Sequence, residues 1–470
     1  MPHFSPEEIT RFVEGASDEE ETKRITEHLL RGCADCLAMI SEVAGEAITD
    51  VVIAMREADR EVDELVKEYR ELVGVPPASP HLDGMFRRLM ESGKRKAAEL
   101  REEKVRAVGQ CADLMRLSPA QRLLRVSQDT SLYTFGMYER LIESAKEAEP
   151  SDPIEAAGLG VLALRVAEKL DPATYGASNL FDFQAGALST VGNALRMASD
   201  FDGAAESLKA AEPVLKKGTR DPLETAHLLS LSSSLEIDLG YFEDAVASIE
   251  EAKKIYESHH ETHMVGRMLV KEGIAIGHFD PQRGIALLEE AHQRIDPMRE
   301  PRIELCIRHN VAFFLTSLGK AVESFSILEA SRWLYKQFND RPTRVRRLWL
   351  EGRISKAFGH LEEAEHTLTR ATEEFMKYRL HQEYTLTMLE LGEIYFLQGR
   401  IEETVVVIRA VYNRLRRWGM HEEGLAILVM AVNSVSDRKA KQNMFSELGV
   451  YLRRSWNRPQ NLGPEDFRVN

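Results

Sequence analysis

Cysteine is scarce in this chain, with four in 470 residues. That excludes a disulfide-stapled scaffold and reads as a cytoplasmic protein. An uninterrupted apolar run of membrane-spanning length is also missing. The longest candidate, LAMISEVAGEAITDVVIAM (37–55), is broken by Glu42, Glu46 and Asp50, each costly in lipid without a partner, so no membrane span is expected. The opening MPHFSPEEITRF has neither a basic n-region nor an apolar h-region, so no signal peptide is expected. Catalytic signatures are lacking too. There is no G-x4-G-K-[ST] phosphate loop, no G-x-S-x-G elbow and no H-E-x-x-H. SLGKAVES (317–324) sets its Gly-Lys in a turn, and HHETH (259–263) lacks the spacing that aligns ligands on one helix face. The expectation is a protein that is not an enzyme.

What charge there is falls unevenly. The net charge is −15, and residues 1–75 hold 8 Lys/Arg against 19 Asp/Glu, a balance of −11. Residues 81–127 run the other way, with 11 basic against 6 acidic side chains. An acidic head repels nucleic acid and attracts basic protein surfaces, so DNA is not an expected partner. The bland account of DEEE (18–21) is a solvated helix start favoured by the helix dipole.

The second half repeats itself. LGYFEDAVASIEEAKKIY (239–256), FGHLEEAEHTLTRATEEF (358–375) and QGRIEETVVVIRAVYNRL (398–415) align, as do segments beginning at 199, 279 and 318. The aligned turn residues are Asp200, Gly240, Phe279, Gly319, Gly359 and Gly399, at intervals of 40, 39, 40, 40 and 40. Five positions after each stands a small side chain: Ala205, Ala245, Gly284, Ser324, Ala364 and Thr404. Such a fixed period marks a repeat array. Within a unit the period is helical: Leu231, Leu235 and Leu239 precede the turn, and Ala245, Ile249 and Ala252 follow it on one face. Glycine at the turn suits a helix end that needs positive φ. Each unit is thus an antiparallel helix pair that buries its core against its neighbours.

This pattern resembles the tetratricopeptide repeat over about 150–435, in a long variant with a 40-residue period. The Trp and Tyr of that family's first helix are poorly kept. The fold expected is all-α: a small N-terminal helical domain (1–75), a helical linker or first solenoid helices (76–149), an α-solenoid of about seven to eight hairpins (150–456) and a flexible tail (457–470). Residues 153–171 read as a degenerate first unit and 422–456 as a capping unit. The resemblance implies that a peptide or helix binds along the first helices of the pairs, with Arg308, Asn310, Trp349 and Arg353 as candidate contacts. Arg196, Tyr241, Arg347, Tyr384 and Glu390 are further candidates. The alternative is that such side chains pack between stacked pairs.

HLLRGCADC (28–36) raises a separate question. SPEEITRFVEG (5–15) reads as a capped short helix ending at Gly15, and SDEEETKRITEHLLRG (17–32) as a second ending at Gly32. His28 would then lie in the last turn of the second, with Cys33 and Cys36 at the start of a third, where a helix N-terminus lowers thiol pKa. Cys-x2-Cys and a nearby His supply three of the four ligands of tetrahedral zinc. A redox dithiol, or thiols merely half-buried in a helical hairpin, are the other readings. Cys111 and Cys306 sit on apolar helical faces and read as core residues.

The arrangement is similar to the N-terminal domain of zinc-containing anti-sigma factors, over residues 1–75. That resemblance implies structural zinc held by His3, His28, Cys33 and Cys36, with His3 standing 25 residues before His28. The family spacing is H-x3-C-x2-C; here Gly32 makes it H-x4-C-x2-C. It further implies a sigma factor as partner of the head, with Ile40, Val43, Ile48, Val52, Met55 and Leu65 as an apolar contact stripe. The alternative for that stripe is packing within the chain.

Overall fold

The structure, a computed structural model, describes residues 4–13, 80–378 and 380–455, together with Glu21, Arg24, Ile25 and Met39. His3, His28, Cys33, Cys36, the apolar stripe of 40–65 and the tail 457–470 lie outside the described residues. The described residues form helices and no strands, and none of these helices is long and apolar enough to cross a membrane.

In chain order the helices are α1 (Pro6–Val13), α2 (Pro80–Met115), α3 (Pro119–Gln128), α4 (Phe135–Ala148), α5 (Pro153–Ala167), α6 (Pro172–Tyr175) and α7 (Ala177–Met197). Then come α8 (Phe201–Leu215), α9 (Pro222–Leu239), α10 (Phe242–Ser258), α11 (Thr262–Gly277), α12 (Pro281–Arg294), α13 (Pro301–Ser317), α14 (Ala321–Ala330) and α15 (Arg332–Gln337). The last are α16 (Arg341–Ala357), α17 (Leu361–Lys377), α18 (His381–Leu397), α19 (Ile401–Arg417), α20 (Glu422–Ser436) and α21 (Asn443–Ser455). The chain divides into two compact units, residues 1–198 with 206–224, and residues 199–205 with 225–470.

Local chemistry starts these helices where the sequence places an oxygen acceptor before proline. Asp152, Asp171 and Asp280 accept from the first free amides of α5, α6 and α12, and Pro153, Pro172 and Pro281 follow at a position whose amide would be unpaired anyway. Ser5 and Glu8 form a reciprocal capping box at α1, Ser5 N donating to Glu8 Oε2 at 2.7 Å and Glu8 N to Ser5 Oγ at 3.2 Å. That confirms the start read from SPEE.

In the first unit α2, α4, α5 and α7 pack in succession around Cys111, Met137, Leu141, Leu162, Ala163 and Val166. Cys111 is therefore core, as its apolar setting implied. The basic 85–108 segment lies inside one long helix, α2. Glu103, buried within it, accepts from Tyr175 Oη at 2.9 Å and Gly136 N at 3.3 Å, tying α2 to α6 and the start of α4. Burial, with the Glu103 carboxylate second, raises the Tyr175 phenol pKa.

The second unit carries the repeats. Successive helices from α10 to α15 and from α16 to α20 pack pairwise, with α13 packing directly against α16 across the short α14–α15 segment. The turns at Gly240, Gly319, Gly359 and Gly399 have φ of 72–79°, the left-handed conformation that glycine adopts without steric cost. Five residues on, Ala245, Ser324, Ala364 and Thr404 are fully buried. Two marks differ from the sequence alignment. At the first, the left-handed residue is Ser199 (φ 62°) and the buried small side chain is Ala204, while Ala205 is exposed, so the period there begins one residue earlier. At the third, no residue near Phe279 has positive φ; Asp280 caps α12 instead.

α11 and α12 approach closely. A Cβ built on Gly284 would lie 2.4 Å from the Gly277 Cα, a backbone contact that cannot give way. Gly284→Ala should therefore push the helices apart and cost about 1–3 kcal/mol. Gly109→Ala, where a Cβ meets nothing within 4 Å inside α2, should instead stabilise by about 0.5–1 kcal/mol. Urea unfolding of both variants checks the opposite signs.

Candidate functional site

Arg308, Asn310, Trp349 and Arg353 fall on the first helices of pairs in the second unit, and the structure gives each an intramolecular partner. Trp349 on α16 is buried, its ring edge-on to Phe313 (5.0 Å) and Phe375 (5.6 Å), and its Nε1 donates to Glu390 Oε2 on α18 at 2.6 Å. Arg353, one turn on, spreads its guanidinium over three partners. Nε donates to Thr316 Oγ1 at 2.9 Å, Nη2 to Ser317 Oγ at 2.8 Å, and Nη1 to Glu390 Oε1. Its Cζ lies 4.0 Å from the Phe313 ring centroid, within cation–π range. Arg308 pairs with the buried Glu304, which also holds His292 Nδ1 at 2.8 Å, and Asn310 donates to the Cys306 carbonyl one turn back at 2.8 Å. Of the further candidates, Arg347 pairs with Glu351 at 2.8 Å and Tyr384 packs edge-on to Trp418. Arg196 belongs to the first unit and bonds Asn193.

These ties share a spacing. Thr316–Arg353, Arg353–Glu390 and Lys356–Glu393 are each separated by 37 residues. That is one 40-residue period less three, so each side chain reaches one helical turn back on the neighbouring first helix. Ser230–Lys271 (2.8 Å between Oγ and Nζ) makes a similar tie between α9 and α11. The charges therefore bind one repeat to the next.

Residues that the sequence did not flag complete the face. His278 and His309 are half-buried and neutral: desolvation, then nearby arginines, pushes His278 well below the ordinary histidine value and His309 down to about 3. His309 Nδ1 lies 2.9 Å from Tyr335 Oη. His278 meets Arg453, from the last described helix. Arginine can only donate, so His278 Nδ1 accepts from Arg453 Nη1. The Arg453 carbonyl also approaches Gly240, where a Cβ would sit 2.6 Å from it, with Gln382 beside. Burial, then Arg353, lowers the Arg453 pKa to about 10, partly offset by Glu390 and Glu383.

Thus α21 packs across the first helices of its own unit. Phe445 meets Gly392 and Phe396 of α18, Gly449 meets Leu386, and Arg453 reaches the turns at Gly240 and His278. The sequence expectation of a terminal cap for 422–456 did not include this crossing. The turn before α21 is again left-handed, at Arg438 (φ 58°) rather than a glycine, 39 residues after Gly399, and the helix carries Arg453 in its last turn. Cys306 on the same face has its thiol pKa raised by burial. Among the described residues no group of three or more His, Cys, Asp or Glu side chains is placed to hold a metal.

No protein-family model matches the chain, and no curated protein matches it. Among solved structures it is similar to a Rap protein complexed with competence and sporulation factor, with a TM-score of 0.53 and 12% identity over 68% of this chain and 87% of that one. Aspartyl phosphate phosphatase F from Bacillus subtilis has a TM-score of 0.46 and 10% identity, over 88% and 95% of the two chains. A signal transduction ATPase with numerous domains from Pyrococcus horikoshii, which carries a tetratricopeptide repeat sensor, has a TM-score of 0.39 and 12% identity, over 93% and 72%. The likeness to the Rap protein shows a shared fold, a solenoid of tetratricopeptide-like helical hairpins.

Because Arg353 and Glu390 are both mostly buried, removing either should strand the other. Arg353→Ala and Glu390→Ala should each cost about 3 kcal/mol, and the double variant less than their sum, with a coupling of about 1–3 kcal/mol in chemical denaturation.

Proposed function

We propose that this is a cytoplasmic regulatory protein that is not an enzyme and acts by protein–protein contact, with the first-helix face of its second unit as the receptor for a helix. The observation that carries this reading is α21 lying on that face with Arg453 bonded to His278, 175 residues away in sequence. A face that seats the chain's own amphipathic helix has the shape, the apolar contacts at Leu386 and Phe396 and the acceptor at His278 that another helix with an arginine near its end would use. A partner helix would then compete with α21, and the affinity it shows would be lowered by the fraction of chains in which α21 is seated. The Rap protein in complex with competence and sporulation factor has the same kind of fold.

The acidic head adds a second element to the proposal. Its H-x4-C-x2-C spacing and its balance of −11 support a zinc-holding domain, with His3, His28, Cys33 and Cys36 as ligands, that covers a basic surface of a sigma factor. The alternative is a scaffold whose partner binding lies wholly in the repeat face.

Two experiments test these elements. A chain ending at Gln442 should bind a labelled peptide of residues 440–456, and Arg453→Ala in the peptide should weaken binding about tenfold or more, the scale of a lost hydrogen bond to a charged group. Failure of the truncated, folded chain to bind that peptide would remove the receptor reading. For the head, capture with the full chain and with residues 76–470 should retain a sigma factor only on the former; identical partners on both would leave the function to the repeats.

A further inference from the structure

The first unit contains a cleft that the first-helix face does not involve. It encloses about 230 Å³ and is lined by Phe135 and Tyr138 of α4, by Asp182, Phe183 and Gly186 of α7, and by Asp221 and Glu224 at the start of α9, among others. Its floor is aromatic. The rings of Phe135, Tyr138 and Phe183 form a triangle with centroids 5.1–6.1 Å apart and interplanar angles of 34–42°. Its rim is acidic. Asp182 accepts from Thr219 N at 3.1 Å, and Asp221 accepts from Leu223 N at 2.9 Å.

Two groups in the cleft have no such partner. Glu224 has neither a hydrogen bond nor an ion pair among the described residues, and burial, then Asp182 and Asp221, raises its pKa to about 6. Tyr138 is nine-tenths buried, and its hydroxyl, directed at the Gly186 wall of the cleft, also lacks a hydrogen-bonding partner among the described residues. Burial, then the Glu224 and Asp182 carboxylates, raises the phenol pKa, so the hydroxyl stays protonated and can donate or accept. Tyr138 is buried and Glu224 half-buried, and both line the cleft, where a bound molecule can bond the hydroxyl and the carboxylate.

The occupant's chemistry follows from the walls. A carboxylate-rimmed cavity repels anions, and an uncharged ligand leaves the charge of an ionised Glu224 uncompensated. Aromatic faces carry negative potential and attract cations, most strongly where water is excluded. The volume falls below the roughly 300–1,000 Å³ of sites for drug-sized ligands and suits the end of one side chain or a small amine. We propose that this cleft binds an organic cation, an alkylammonium or guanidinium group, seated on the Phe135–Tyr138–Phe183 floor and paired with Glu224, with Asp182 and Asp221 adding negative potential. The cation bonds the Glu224 carboxylate directly, and the Tyr138 hydroxyl takes part in holding it. Such a group is carried either by a free amine or by a lysine or arginine of a peptide.

Calorimetric titration of the full chain tests this with n-butylammonium and n-butylguanidinium as free cations, an acetyl-Gly-Lys-Gly amide as the peptide source, and n-butanol as the neutral control. At least one cation should bind and butanol should not. Tighter binding of the free cations assigns the site to small amines, and tighter binding of the peptide assigns it to a side chain. Glu224→Gln keeps the shape and should weaken binding about tenfold, the change that accompanies a pKa shift of about one unit. Tyr138→Phe keeps the ring and should weaken it by about threefold. Affinity should also rise from pH 5 to 7 as Glu224 ionises, and Glu224→Gln should flatten that slope. The groups facing Glu224 are Asp182, Asp221, the Tyr138 phenol and the exposed Lys146. Absence of binding to every cation up to about 10 mM overturns the proposal. So does binding of butanol as tightly as the cations, or a cation affinity and pH slope that survive Glu224→Gln in a folded variant.

Discussion

The second unit depends on how closely the two helices of a hairpin can approach. Five residues past each glycine turn the side chain is small and fully buried: Ala245, Ser324, Ala364 and Thr404. Gly284 takes the same place where α11 and α12 nearly touch backbone to backbone. A larger residue at these positions would change the spacing of the first helices, and with it the alignment of side chains one turn apart on neighbouring repeats. The 37-residue ties of Arg353 and Lys356 exist because that spacing holds from one unit to the next.

Electrostatics on the first-helix face follows from the same packing. Arg353 and Lys356 pair with glutamates of the next repeat, Arg308 and Arg347 with glutamates of their own helices, and the two half-buried histidines are kept neutral by desolvation and by neighbouring guanidinium groups. A neutral His278 can accept a hydrogen bond, and Arg453 supplies the donor. A protonated His278 could not accept it. The face therefore sets internally paired charges beside apolar contacts, and Arg453 takes its His278 acceptor.

Much of the architecture is legible in the sequence, because it rests on local rules repeated at a fixed period. Glycine marks the left-handed turns at 240, 319, 359 and 399, and aspartate before proline marks helix starts. The reading slips at Ser199, where a non-glycine residue takes positive φ and an adjacent aspartate imitates the turn. The sites are less legible. Trp349 and Arg353 are recognisable as unusual in a first helix, but whether they face a partner or each other's repeats depends on contacts 37 and 41 residues away. The crossing of α21 leaves no local signature, since its contacts lie up to 175 residues back along the chain. The cleft of the first unit draws on residues 135–138, 179–186 and 219–224, and no motif joins those stretches.

The central claim is that α21 is seated across the first helices through Arg453. Amide hydrogen exchange of the full chain, compared with Arg453→Ala, tests it most directly. The account predicts faster exchange in the variant both along α21 and at the distant turns around Gly240 and His278. Changes confined to residues neighbouring 453 in sequence would contradict it.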